Sequence, residues 1–331
     1  MKFILLLIIV FTSSFASAVP NTLEGILPEK NVPLNVLGVN AFVNDSRFGT
    51  INYQLLEVKN TLGINFVRVL FNWDDNVQPT PSSQPDFSFY DDIIDAIPKH
   101  MKVLIILTKV PSWMSDSSNW IDNNPRKTFV ERWVKVVINR YKNIKKKRVK
   151  AFQIWNEPND ENNPDNSTLD IVYSPENYLE LLALSYDTIK EVAQKKQVVN
   201  AATTAINQNY PETYNYNQEL VDAGLLTVSD FFSIHYYGSH LENLLLGGVG
   251  DFLNSVEKPI WITESGAKGT TKQLEYARTM WPFLLEFVPG IKRIYQYQFT
   301  EASSSNSTYG LKNLTPGKTI SDLYIYLREN N

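Results

Sequence analysis

Apolar and polar positions along the chain sort into short, dense apolar runs that alternate with amphipathic stretches. Residues 34–40, 65–71, 102–107, 198–202, 230–235, 258–263 and 291–299 read as strands, rich in β-branched and aromatic side chains. The 102–107 run is apolar throughout, the sign of a strand covered on both faces. A further strand leads into Phe152-Gln153-Ile154-Trp155-Asn156-Glu157-Pro158-Asn159, where Pro158 lacks the N–H to continue a ladder. Between these runs apolar residues recur at three- and four-residue steps, predicting helices over 53–62, 89–97, 128–141, 178–192, 272–287 and 319–328. Phe129, Trp133, Val136, Val137 and Tyr141 form one such stripe. Tyr178, Leu181, Leu182, Ser185, Ile189 and Val192 form another, behind a Ser174-Pro175 cap. Eight strands alternating with helices, at roughly 39 residues per unit, predict an α/β fold of the (β/α)8 barrel type over residues 19–331. An open doubly wound sheet is the competing arrangement. No Gly-x-Gly-x-x-Gly or Gly-x-x-x-x-Gly-Lys turn follows any strand to support it.

Composition narrows the chemistry. The 331 residues include no cysteine, which excludes disulfides, thiolate nucleophiles and cysteine-held metals. The three histidines, His100, His235 and His240, form no His-x-x-x-His pair, so neither a zinc centre nor a cofactor is expected, with oxygen-only calcium sites left as the open alternative. A formal charge of −4 implies neither a nucleic acid nor an anionic membrane as partner. The basic run Lys145-Lys146-Lys147-Arg148 falls between a helix and its next strand and reads as a solvated loop at the barrel's underside. Residues 1–18 combine Lys2, the apolar run 4–11 and Ala16-Ser17-Ala18, the pattern of a cleaved secretory signal. A secreted, periplasmic or extracellular monomer with no stable membrane insertion is the expectation. Asn44, Asn166, Asn306 and Asn313 head Asn-x-Ser/Thr triplets, a number that chance alone accounts for.

Two stretches carry candidate catalytic groups. The octet above puts Glu157 at a strand's C-terminal end, beside the amide of Asn156. About a hundred residues later, Trp261-Ile262-Thr263-Glu264-Ser265-Gly266 again ends an apolar run in a glutamate, with a glycine to turn on. On the fourth and seventh strands of a closed barrel these ends face one another across its mouth. Two carboxyls about 5 Å apart cleave a glycosidic bond with retention, one delivering a proton and the other attacking the anomeric carbon. Arg68 on an otherwise apolar strand needs a buried partner, and Glu264 is the natural one. Trp73 and Trp113, soon after the second and third strands, are candidate sugar platforms, with local packing as the alternative. Gln296, on the last strand, is a further candidate contact, again with packing as the alternative.

Together with Phe66-Val67-Arg68-Val69, Ser233-Ile234-His235-Tyr236-Tyr237 and Tyr309-Gly310-Leu311, these stretches resemble the clan of retaining (β/α)8 glycoside hydrolases, families 39 and 5 in particular. The resemblance covers most of the chain. It implies Glu157 as general acid/base, Glu264 as nucleophile, and Asn156 as a hydrogen-bonding partner of the sugar 2-hydroxyl. It also implies Arg68 beside the nucleophile, with His235 and Tyr237 lining the subsite of the cleaved sugar. The chain departs from the clan in having Tyr295-Gln296-Tyr297-Gln298 where a tryptophan often ends strand eight, and Leu107-Thr108-Lys109 where family 5 usually has a histidine. The implied activity is retaining hydrolysis of a β-linked polysaccharide or oligosaccharide, endo-acting by preference. An exo-β-glycosidase such as a β-xylosidase and a non-catalytic carbohydrate-binding barrel are the alternatives.

Overall fold

The computed structural model describes residues 25–143 and 148–331, so the signal segment and the Lys145–Lys147 run lie outside the described residues. The strands are β1 Leu37–Asn40, β2 Phe66–Asn72, β3 Lys102–Thr108, β4 Val149–Ile154, β5 Gln197–Asn200, β6 Phe232–Tyr237, β7 Ile260–Gly266 and β8 Ile291–Gln296. The principal helices are α1 Ile51–Asn60, α2 Ser88–Ala96, α3 Pro125–Phe129, α4 Lys135–Tyr141, α5 Pro164–Thr168, α6 Pro175–Ala193, α7 Glu212–Asp222, α8 Leu241–Leu245, α9 Val249–Ser255, α10 Lys272–Phe287 and α11 Asp322–Glu329. All neighbouring strands pair in parallel, in the order β5-β4-β3-β2-β1-β8-β7-β6. A single parallel bridge, Val199 to Phe231, links the two ends. Asn200 reinforces it: its side-chain Oδ1 accepts from Ser233 N at 2.8 Å, and its backbone carbonyl accepts from Ser233 Oγ at 2.7 Å. The expected (β/α)8 barrel is thus the fold.

Local chemistry sets the element ends. Thr50 caps α1 and Ser174 caps α6, each accepting from the N–H three residues on, and Pro175 takes the first turn of α6. Asn124 and Pro125 start the 128–141 helix three residues earlier than its apolar stripe indicates. A π-helical turn, Val130–Val134, joins α3 to α4. Val134 at its end and Ile138 beyond it are buried, whereas Val136, expected in the stripe, is only half-buried, because the wider turn rotates the face that meets the sheet. The first strand is shorter than expected, since Leu34–Val36 forms a 3-10 turn. Gly38 in β1 is required by packing: a Cβ there would lie 2.5 Å from the Tyr295 ring.

Inside the barrel, side chains stack in two kinds of layer. At the N-terminal end of the strands Leu104, Ala151, Val199, Trp261 and Tyr295 form an apolar plug, joined by Phe66 and Phe231. Above it lies a buried polar layer of Asn40, Arg68, Gln153, Ser233 and Thr263. Gln153 ties that layer together, accepting from Arg68 Nε at 2.7 Å and donating to Asn200 O and Ser233 Oγ at 3.1 Å each. Every donor and acceptor spent there is withdrawn from water, so the layer is stable only because it is mutually satisfied. It forms the floor on which the site stands.

Candidate active site

β4 ends at Ile154, three residues before Glu157 rather than at it. Trp155 and Glu157 then adopt left-handed backbone, φ 74° and 44°. For residues with a β-carbon this costs about 1–3 kcal/mol each and persists only where surroundings enforce it. Here the enforcement is visible. Trp155 N donates to Leu107 O at 2.9 Å and Glu157 N to Ala202 O at 2.8 Å, so both neighbouring strands hold the irregular segment. Asn166, on α5, accepts from the buried Trp155 indole at 2.7 Å and donates to the carbonyls of Glu157 and Asp160 at 2.8 and 2.9 Å. Asn166 heads an Asn-x-Ser/Thr triplet, yet its side chain is fully buried and committed to this loop.

Glu264 reaches the barrel axis by a different device. Ile262 pairs with Ile294 and Ser265 with Gln296, so β7 carries one more residue than β8 over that interval. The same extra residue shifts its register against β6 between Ile234 and His235. This bulge turns two consecutive side chains inward, where a regular strand alternates. Thr263 accepts from Gln153 at 3.3 Å, and Glu264 accepts from Arg68 Nη1 at 2.7 Å. On β6 no bulge is needed: Ser233, His235 and Tyr237 share the inward face by simple alternation.

The two glutamates meet. Ligand atoms of Glu157, His235 and Glu264 all lie within 4.8 Å of one another. Glu264 is 8% exposed, and each of its carboxylate oxygens is engaged: Arg68 on Oε1, and the Tyr237 hydroxyl on Oε2 at 2.8 Å. Burial by itself pushes this carboxyl up, but the His235 and Arg68 charges and the hydrogen bonds from Tyr237 and Arg68 outweigh it and hold it below its usual range. Burial, with the Glu264 charge added, pushes Tyr237 well above its ordinary value, so its hydroxyl stays a donor. Glu157 is more open, its side chain 27% exposed, with one oxygen 2.8 Å from His235 Nδ1. His235 Nε2 sits 3.5 Å from Glu264, too far for a hydrogen bond but near enough for charge attraction.

Six of the nine candidates from the sequence therefore converge: Glu157, Glu264, Asn156, Arg68, His235 and Tyr237. One of them acts differently from expectation: His235, fully buried, cannot face a sugar directly. Arg68, 1% exposed, pairs with Glu264 as expected and spends its three nitrogens on Gln153, Asn40, Glu264 and Asn156. Its bond to Asn156 Oδ1, at 2.9 Å, fixes that amide with its oxygen on the guanidinium. His235 connects the two carboxylates from behind.

The other three candidates take their packing alternative, Trp113 while still half-buried. Trp73 is fully buried, stacked at 4° to Trp133 with its indole on Gln78, because the loop after β2 folds back over the helices. Trp113 packs edge-on against Trp73, donates to Gln78 O, and has Arg132 5.3 Å from its ring. Gln296 is fully buried and clamps the strand-eight loop through Tyr297 O and Tyr309 O at 2.8 and 2.9 Å. In their place Tyr237, Tyr297 and Tyr309 form an aromatic corner with mutual centroid distances of 5.2–6.1 Å. Tyr297 takes the end of strand eight, and Tyr309 comes from a loop with no periodic signal. Asn40 and Gln153 also escaped notice, since polar residues in a strand carry no mark of which face they take. Geometrically the Glu157–His235–Glu264 cluster also matches a cation site, but the guanidinium already on Glu264 opposes a second positive charge there.

The family model described as cellulase, glycosyl hydrolase family 5, matches residues 27–300. The chain belongs to glycosyl hydrolase family 5. In fold this family 5 chain is similar to a family 39 glycoside hydrolase from Bacteroides cellulosilyticus WH2, at 17% identity and a TM-score of 0.59, over 92% of this chain and 65% of that one. The present chain thus spans just under two thirds of that enzyme. A GH39 enzyme from Xanthomonas axonopodis pv. citri is similar at 16% identity and a TM-score of 0.60, over 91% and 67%. An endo-1,4-beta-mannanase from Rhizomucor miehei is similar at 15% identity and a TM-score of 0.59, over 92% of this chain and 98% of that one. Comparison with curated protein sequences finds no match.

Proposed function

We propose that this chain is a retaining β-glycoside hydrolase acting by double displacement through Glu264 and Glu157. The observation that carries the reading is the carboxyl separation, within 4.8 Å, which fits a direct nucleophile and leaves no room for the water an inverting enzyme must place between its carboxyls. Glu264, held ionised by Arg68 and Tyr237, attacks the anomeric carbon while Glu157 gives a proton to the departing oxygen. The C–O bond breaks and a glycosyl ester forms on Glu264. Glu157, now a carboxylate, takes a proton from water as that water's oxygen replaces Glu264. Asn156, its amide fixed by Arg68, donates to the sugar 2-hydroxyl as positive charge builds at the neighbouring carbon.

The substrate is a β-linked polysaccharide cut internally. Support comes from a shallow groove of about 230 Å³ running from Asn159, two residues beyond the acid, past Tyr173 and Tyr216. Tyr173 is 77% exposed, a ring free to stack on a sugar beyond the point of cleavage. The leader pattern in residues 1–18 supports action outside the cytoplasm, where such polymers are met.

Incubation with 2-deoxy-2-fluoro-β-glycosides of common sugars, followed by peptide mass mapping, tests the chemistry. A glycosyl adduct on Glu264 is expected. Anomeric inversion in the product, or glycan binding without any turnover, would replace the proposal with an inverting enzyme or a binding barrel. Product sizes from intact polysaccharide then separate internal cutting from release of terminal sugars.

A further inference from the structure

The N-terminal mouth of the barrel, opposite the catalytic face, holds a cavity of about 370 Å³. Its walls are Phe66, Gln197, Phe231, Trp261 and Tyr295, with Lys102, Lys150, Lys195, Lys292 and Arg293 around them, most of these at or just before the starts of their strands. These five cations have no Asp or Glu among the residues that line the space with them. On a chain of formal charge −4, a cavity of one sign is not a matter of composition. The nearby Asp230 is occupied by Lys190 at 2.6 Å.

Arg293 is the telling group. Its guanidinium carbon lies 3.1 Å from the centre of the Phe66 ring. Its Nε and Nη1 are buried and make no hydrogen bond. Burial pulls it below its ordinary value, offset only in part by the neighbouring Tyr295. Leaving guanidinium donors dry and unpaired is costly, and the neighbouring lysines add repulsion. Lys196, next to Lys195, registers the same field: burial first, then the Lys150 charge, lowers its affinity for its proton. Everything missing from this arrangement is supplied by an oxyanion.

We propose that the underside of the barrel is an anion-binding site, taking a phosphate or sulfate group, free or carried on a sugar, between Arg293 and the Lys102, Lys150, Lys195 and Lys292 rim. The cavity is in the size range of small-ligand pockets, and the Trp261–Phe231 pair, 4.2 Å between centroids, offers an apolar wall to a ring that bears the anion. The site is independent of the glycosidase reading and stands or falls separately from it.

Thermal unfolding of the full chain at constant ionic strength, with inorganic phosphate, glucose 6-phosphate or glucose added, decides the matter. A ligand that binds only the folded state raises the melting temperature in a saturable way. Wild type is expected to respond to phosphate or to the sugar phosphate and not to glucose. A larger response to glucose 6-phosphate assigns the sugar-borne group, and equal responses assign the free oxyanion. Arg293→Met is expected to fold with at least wild-type stability in the absence of anion and to lose the response. Lys150→Gln with Lys195→Gln, both exposed positions, should weaken binding about tenfold. No saturable rise with either anion, an equal rise in wild type and both variants, or an Arg293→Met protein that is less stable yet binds unchanged would each overturn the assignment.

Discussion

Tyr237 makes one hydrogen bond that matters, to Glu264 Oε2, and its loss is a measurable quantity. A hydrogen bond to a charged group is worth about 1.5–3 kcal/mol, so Tyr237→Phe is expected to lower kcat/KM about 10- to 100-fold. The pH profile should change with it. Glu264 is held below its usual value, so it stays ionised as pH falls, and the stability it contributes is lost only on passing its depressed folded value. Removing a donor raises that value, and the acid limb of kcat/KM moves up in pH. An unmoved limb would assign it to another group. Glu264→Ala should be inactive but rescued by azide to a glycosyl azide of inverted configuration. Glu157→Ala should lose about 10²–10⁴-fold on natural linkages and far less on activated aryl glycosides, which need no proton. Reversal of those two patterns would exchange the roles. At this scale the sequence was informative where side chains alternate: Arg68, His235 and Tyr237 are on inward positions of regular strands. It left Trp73 and Trp113 open between the two roles, because a tryptophan in a loop has the same letter whether it faces a sugar or packs on another ring.

Among the elements, the segment after β4 and the bulge in β7 do the positioning, and neither is written in periodicity. Both glutamates looked like strand tips. One stands beyond its strand on left-handed backbone, the other within its strand at an inserted residue. The sequence located the acids correctly, but the means of aiming them depends on partners distant in the chain, such as Ala202 and Asn166. Asn166→Ala strips three hydrogen bonds from that segment and is expected to cost about 2–3 kcal/mol in urea unfolding together with most of the activity. Loss of stability with full activity would mean Glu157 is aimed by something else. The same burial makes Asn166 and Asn313 unavailable to a glycan in the folded chain, while Asn44 and Asn306 are exposed, so any attached sugar should map to the latter pair.

For the molecule as a whole, the alternation of strands and helices was enough to establish a closed parallel barrel, because each apolar strand demands cover on its outer face. What alternation leaves open is how the cylinder shuts. Seven of its seams are ladders of backbone hydrogen bonds; the eighth, between β5 and β6, has one backbone bridge and is otherwise joined through side chains, those of Asn200, Ser229, Asp230 and Ser233. Such a cylinder breathes at its thinnest join. Amide protons of 197–200 and 232–234 should exchange with solvent sooner than those of β2 and β3, and mass-resolved deuterium uptake would read the difference. Since Glu157 leans on Ala202 and on His235, which flank that join on either side, an opening there would pull the proton donor away from the attacking carboxylate. Heat inactivation is then expected to precede the loss of helix, as the last stave loosens while the others still hold.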